Sequence, residues 1–145
     1  MTPMEYVVIA LGGAAVFRGA NVPTSDQVRE QIKKGLPYRS LESVRERLQL
    51  SIPEASSVLR MPARTLARRK QSNRLDADES DRLYRLARMA AHAVSVFGTE
   101  DKAVAWLHRP NRALSGEAPV RLLDTDLGAR QVEDILGRLE FGLVS

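Results

Sequence analysis

The amino-acid sequence predicts an all-α protein, on two observations. Apolar residues recur at the helical period in nearly every patterned segment, and no convincing two-residue alternation appears. Helix-start residues alternate along the chain with Gly or Pro stop signals. There are no cysteines, which removes disulfides, thiolate metal sites and cysteine nucleophiles together. With 145 residues the chain can bury a core without a staple, because a globule of this size hides roughly 68–70% of its unfolded surface. The missing cysteines also fit a reducing compartment, and a cytoplasmic location is the expectation.

The elements follow in order. In the opening "MEYVVIALGGAAVFRGA" the apolar run from Val7 to Phe17 is about eleven residues, short of the roughly 20 that a membrane helix requires. Glu5 stands where a secretory signal carries positive charge. This run reads either as a buried helix or as a self-association face, with Gly12 and Gly13 weakening its middle. "NVPTSDQ" breaks it, a short helix is expected over about 26–34, and "KGLPYRS" ends that helix. Ser40 is expected to cap the next, which carries Leu41, Val44 and Leu48 inward. Ser51 and Glu54 form a capping-box pair around Pro53, for a helix that buries Ile52, Ala55, Val58 and Leu59.

That helix stops at Arg60–Met61, and Pro62 opens "PARTLARRKQ". Two short helices across a tight turn, the second densely basic, form a helix-turn-helix pattern. Asp76 and Glu79 then cap a long helix with Leu83, Leu86, Ala87, Ala90, Val94 and Phe97 on a single face. Gly98 ends it, Thr99 caps "EDKAVAWLHR", and Pro110 stops that helix. "NRALSGEAP" reads as a loop and "VRLLDT" as a short helical turn. Asp124 or Thr125 starts the last helix, with Val132, Ile135, Leu136, Leu139 and Leu143 in its stripe. Three units are expected: an apolar helical extension and candidate dimer face over 1–38, a helix-turn-helix module over 39–75, and a connecting helix with a small helical domain over 76–145.

Charge divides along the same lines. The chain has 22 Lys and Arg against 18 Asp and Glu, with the positive excess concentrated in 39–75 and an acidic lean in 76–145. A basic module beside an acidic one points to two partners of different character, polyanion being the obvious one for the first. From Arg60 to Arg74 there are six basic residues and no acidic one. Leu66 faces inward, which turns Arg64, Thr65 and Arg68 outward near the helix start. Early residues of a second helix-turn-helix helix meet base edges, and flanking basic residues meet phosphates. Arg64, Thr65 and Arg68 are therefore expected in the groove, with Arg60 beside them and Arg69, Lys70 and Arg74 on the backbone of operator DNA. One short reading helix contacts few base pairs, so a homodimer on two half-sites is expected.

No catalytic constellation accompanies these features. His92 has small apolar neighbours, and His108 sits at a helix end where an imidazolium suits the dipole. Asp124 and Asp126 lack a third metal ligand in sequence, so capping is their expected work. Gly12-Gly13 carries no phosphate-binding fingerprint. The expectation is a binding protein without catalytic residues, metal or cofactor, and with no membrane partner.

Two segments carry a resemblance. "RTLARRK" through "RLDADESDRLYRLARMAAHAVSVFG", and "AVAWLHRPNRALSGEAPVRLLDTDLGARQVEDILGRLEFG", resemble antitoxins of the Xre/MbcA/ParS group, over roughly Leu41 to Gly142. That family pairs a helix-turn-helix with a C-terminal toxin-binding domain. The resemblance implies a two-gene module in which the partner is a RES-domain toxin, of a class that consumes NAD. It further implies that the antitoxin holds the toxin inactive and represses its own operon. By matching motif positions, toxin contacts fall on Trp106, Leu107, Asn111, Leu114, Pro119, Leu122 and Leu123. They continue through Glu140, Phe141, Leu143, Val144 and Ser145, a tail expected to enter the toxin's NAD site and to present its terminal carboxylate there. His108 stands where the family often has Asn. A plain core role competes for Trp106, Leu114, Leu122 and Leu123. The other reading of the whole chain is a stand-alone transcriptional regulator whose C-terminal domain senses a ligand or recruits a protein.

Overall fold

Side-chain caps set where the helices begin. In the computed structural model, which describes residues 1–17 and 22–142, the order is α1 (Pro3–Ala10), α2 (Ser25–Lys34), α3 (Tyr38–Arg47), α4 (Ile52–Leu59), α5 (Ala63–Ser72), α6 (Ala77–Phe97), α7 (Glu100–His108) and α8 (Asp126–Glu140). Short 3-10 turns lie at Gly13–Ala15, Arg112–Leu114 and Pro119–Leu122. No strand occurs among the described residues, so the all-α expectation holds. The capping boxes of Ser51 with Glu54 and of Asp76 with Glu79 form as the sequence suggests. Thr2 with Glu5 and Thr24 with Gln27 add two more. Each cap satisfies backbone N–H groups that a helix start otherwise orphans, an effect of about 1 kcal/mol.

Local expectations change at several points. Ile52, expected on the buried face of α4, is 46% exposed at its first position. The run Val7 to Phe17 is not one helix: α1 stops at Ala10, Gly12 takes a left-handed φ of 119°, and a 3-10 turn returns Val16 and Phe17 to the core. Ser40 is not a cap either. Helix α3 is already running there, Pro37 being its N-cap residue. Ser40 is fully buried instead, its hydroxyl donating to the Leu11 carbonyl oxygen. The first turn of α3 is tied by Tyr38 N–H donating to Asn73 O at 3.3 Å, across the helix-turn-helix.

Helix α6 is the spine. It packs against α1, α2 and α3 on one side of the chain's course and against α7 and α8 on the other. One apolar cluster runs through all of them, from Tyr6 to Leu136. In α1, Tyr6, Val7, Val8 and Ala10 are all buried, so the face considered for self-association is largely used within the chain. Tyr6 also donates its hydroxyl to Glu100 at 2.7 Å, and Arg47 meets the same carboxylate at 3.1 Å. Burial first, and then the Glu100 contact, push the Tyr6 hydroxyl well above its ordinary pKa, so it stays a donor.

Two glycines permit close approaches. Gly35 has a φ of +95°, and a Cβ there would lie 2.1 Å from Leu75 O. This closeness lets the strands of chain entering and leaving the helix-turn-helix bond together, with Leu75 N–H donating to Leu36 O at 2.9 Å. Leu36 N–H in turn donates to the Ser80 hydroxyl at 2.8 Å. Gly128, in the first turn of α8, sits so near the preceding turn that a Cβ would fall 1.9 Å from Leu122 O. Gly137, nine residues on in the same helix, has nothing within 4 Å of a Cβ. Alanine at the two positions therefore acts with opposite sign. Gly128→Ala is expected to destabilise by about 1–3 kcal/mol through overpacking, and Gly137→Ala to stabilise by roughly 0.5–1 kcal/mol through helix propensity. Urea unfolding of both variants checks this, and equal effects would show that Gly128 is not a packing contact.

Candidate functional site

The reading helix is built from its buried anchors outward. Helix α4 ends on Arg60, left-handed at φ 52°, and Met61 follows as a buried plug at 1% exposure. Ser56 holds the turn by donating to Met61 O at 2.6 Å. Pro62 then stands as the N-cap residue of α5, where a missing amide hydrogen costs nothing. Leu66 is the one buried residue of α5. Arg64 and Arg68 are exposed one helical turn apart, with Thr65 half-buried between them. Arg60 and Lys70 are exposed as well. Among the described residues, Arg60, Arg64, Arg68 and Lys70 have no carboxylate within ion-pair distance. Four unpaired cations, one in the turn before α5 and three along it, make a surface suited to phosphate and to base acceptors.

Arg69 and Arg74 lie elsewhere. The Arg69 guanidinium turns inward to α6, its Nε 2.8 Å from the Glu79 carboxylate and Nη2 3.3 Å from Asp76. Glu79 is itself buried, and its hydrogen bond holds Arg69 firmly protonated. Arg74 donates from Nη1 to Gly35 O at 2.7 Å. The structure thus gives both residues intramolecular partners. Sequence reasoning missed this because Asp76 and Glu79 read only as a cap, although the capping-box acid three residues into α6 is also the counter-charge.

On the C-terminal side the expected contact residues divide by exposure. Leu107, Leu114, Pro119 and Leu123 are buried in the core of the isolated chain. Trp106 and Leu122 are half-buried, and Trp106 packs on Phe97 with ring centroids 5.3 Å apart. Asn111 turns its side chain to its own backbone, accepting from Ala113 N–H at 2.9 Å. Glu140 lies 2.9 Å from His92 Nε2. Phe141 alone among the described apolar ones stands out in solvent, at 79% exposure. Leu143, Val144 and Ser145 lie outside the described residues.

One further apolar residue joins Phe141. Leu127 is 70% exposed in the first turn of α8. Fourteen positions separate the two, which at 100° per residue returns them to nearly the same face, about 21 Å apart. Gln131, Asp134 and Arg138 lie exposed between them. The sequence held the signal, since Leu127 falls off the inward stripe that begins at Val132, but it was passed over as part of the helix start.

One arginine and one histidine tie α6 and α7 to the helices that precede the reading helix. Arg82 of α6 donates from Nε to Leu59 O at 2.7 Å, at the end of α4. His108 sets Nε2 at 2.8 Å from Leu48 O, which makes Nε2 the protonated nitrogen, because a carbonyl can only accept. Its Nδ1 faces Glu54 at 3.8 Å. The backbone N–H and hydroxyl of Ser51, with burial opposing, hold the Glu54 carboxyl below its usual range. Among the described residues no group of His, Asp and Glu could hold a metal, and no helix is long and apolar enough to cross a membrane.

Comparison with known proteins agrees with this division of labour. Residues 27–88, from α2 into the middle of α6, match the antitoxin Xre-like helix-turn-helix domain. Residues 92–142 match the antitoxin Xre/MbcA/ParS C-terminal toxin-binding domain. An Antitoxin Xre of Yersinia enterocolitica is 36% identical over 138 residues, covering 90% of this chain and 91% of that protein. An Antitoxin Xre of Photorhabdus laumondii is 34% identical, with 90% of each chain covered. A third, from Pseudomonas putida, is 36% identical over 80% of this chain and 72% of its own length. With a cation-ringed reading helix at one end and a toxin-binding domain at the other, the chain belongs to the Xre antitoxin family.

Proposed function

We propose that this protein is a non-enzymatic antitoxin that holds a RES-domain toxin inactive by covering its NAD site, and that it binds its own operator as a homodimer. The observation that carries the first half is the outer face of α8, inside the matched toxin-binding domain. Phe141 and Leu127 leave a large apolar surface in water at both of its ends. Such side chains supply interface anchors when a partner surrounds them. Trp106 and Leu122, half-buried, extend the candidate contact, and in this reading the toxin's pocket takes the tail residues Leu143, Val144 and Ser145. Leu107, Leu114, Pro119 and Leu123 shape that face from below and are positioning residues in this reading.

The DNA half rests on Arg60, Arg64, Arg68 and Lys70, with Thr65 as a hydroxyl between the arginines. Arg69 and Arg74 leave the contact set and become braces: the first fixes the angle of α5 on α6, and the second zips the module shut. The tilt of the reading helix then depends on the Arg69–Glu79 pair rather than on DNA.

Three arginine or lysine changes separate these roles in anisotropy titrations with the DNA upstream of the gene. Arg68→Ala is expected to cost about 1–3 kcal/mol of specific binding and to relax sequence preference. Lys70→Ala should weaken binding evenly across sequences and reduce the salt slope by about 1. Arg69→Gln should lower the melting temperature and specific affinity while leaving that slope unchanged. A lower slope for Arg69→Gln, with none for Lys70→Ala, would reverse the assignment.

Co-expression with the product of the adjacent gene tests the antitoxin reading. That product alone should arrest growth, and this protein should restore it. Phe141→Ala is expected to weaken the complex by about 2 kcal/mol, roughly 30-fold, without changing the stability of the free chain. Leu107→Ala should instead cost about 2–5 kcal/mol of stability. Full rescue by a chain lacking residues 141–145 would refute occlusion by the tail.

A further inference from the structure

The outer face of α8 carries more than its two apolar ends. Leu127, Gln131, Asp134, Arg138 and Phe141 follow one another at steps of four, three, four and three residues. At 100° per residue they stay within an arc of about 80°, and all five are exposed. Leu127 and Phe141 close this stripe about 21 Å apart, with one acid and one base between them.

The other exposed charges of α8 have partners. Asp126 meets Arg85 and Arg130, and Glu140 meets His92. Asp134 and Arg138 have no opposite charge within 4.0 Å among the described residues. They repeat the acid-then-base spacing of Asp126 and Arg130, which pair at 3.2 Å, yet they stay apart. An exposed ion pair is worth little in water, so leaving this one open costs the free chain little. Inside an interface each charge must be answered, because a desolvated charge without a counter-charge is strongly unfavourable.

A second copy of this chain fits the stripe poorly. In antiparallel pairing, setting each Leu127 against the other Phe141 brings Asp134 onto the two-fold axis opposite itself, and Arg138 beside Arg130 of the second copy. Sliding by four residues matches Asp134 with Arg138 but sets Phe141 on Gln131. Parallel two-fold pairing is in register and opposes like with like at every position. No register satisfies the apolar ends and the charges together, which points to a different protein. We infer that Asp134 and Arg138 are specificity-determining residues for the toxin. Its surface offers two apolar seats about 21 Å apart and, between them, a cation for Asp134 and a carboxylate for Arg138. This rests on the reading of α8 as the toxin-binding face. A toxin with those two charges in reverse order meets like charges at both positions, which rejects it more strongly than a missing contact does.

Calorimetric titration of the full chain with the purified product of the adjacent gene tests this. Exchanging the charges, Asp134→Arg with Arg138→Asp, keeps the net charge constant, so a general field effect cancels. The exchange is expected to weaken the complex by about 30-fold or more. Asp134→Asn with Arg138→Gln removes the charges without reversing them and should weaken it by about fivefold. Both variants should melt close to the parent, because exposed residues without partners contribute little stability. An exchanged chain that binds as tightly as the parent overturns the inference. If it melts early, the neutral pair decides, and parental affinity there overturns it as well. Weakening by Phe141→Ala alone would leave α8 as the interface while removing the charges from it. Parental affinity in Phe141→Ala too would take down the reading of α8 itself. Should the exchange alter only the sedimentation of the free chain, the stripe belongs to a second copy and the inference fails.

Discussion

The whole molecule depends on one helix being packed from several directions at once. Along α6 the buried residues include Leu83, Leu86, Met89 and four alanines, Ala87, Ala90, Ala91 and Ala93. At 100° per residue these cover about 200° of the helix circumference. Neighbouring helices can approach from that many sides only if the spine is thin where they meet. Alanine provides this, at no cost in helix propensity. A larger side chain at any of the four would have to displace α1, α7 or α8, since the interior has no spare volume. The spine therefore transmits geometry: α1, α2 and α3 define one of its sides, α7 and α8 another, and the reading helix is braced to its start.

The helices themselves were readily legible. Capping pairs such as Ser51 with Glu54, stop residues such as Gly98 and Pro110, and heptad-like spacing in α8 are local signals, and local structure obeyed them. What failed was any inference needing to know what lies opposite. The expected inward stripe of α6 included Val94 and Phe97, which are half-buried, and omitted Met89, Ala91 and Ala93, which are buried. A single-face pattern presumes a single neighbour. Ser40 shows the same limit: a serine before an apolar run looks like a cap, and only the approach of the Leu11 carbonyl, distant in sequence, reveals its real partner.

Arg68 and Arg69 are the sharpest case. They are chemically identical and adjacent, yet one helical step of 100° sends the first to solvent and the second to a buried carboxylate. Composition counts both as binding charge. Their separation needs the position of Glu79, which the helix-turn-helix brings back beside α5 after the turn at Asn73. A basic run consequently overstates the cations available to nucleic acid, by the number its own fold consumes. The candidate protein interface suffers the mirror-image error. Three of the leucines matched by motif position, Leu107, Leu114 and Leu123, lie in the core, while exposed Leu127 escaped notice because it sat beside a cap.

The spine also sets the distance between the two candidate surfaces. Glu79, where α5 is braced, and His92, which meets Glu140 near the exposed Phe141, are thirteen residues apart on α6. That is about 20 Å along a straight helix, comparable to the width of a DNA groove and its flanking backbone. That length separates α5 from the Phe141 end of the candidate interface, whereas Leu127, at its other end, follows Asp126, which pairs with Arg85 only six residues from Glu79. Polar ties accompany the apolar packing between the two ends: Arg82 Nε donates to Leu59 O and His108 Nε2 to Leu48 O. Both are hydrogen bonds to carbonyls at helix ends, where a cationic or N–H donor satisfies groups the helix leaves open. Loss of either would free the end of α4 or the end of α3 without dismantling the apolar cluster.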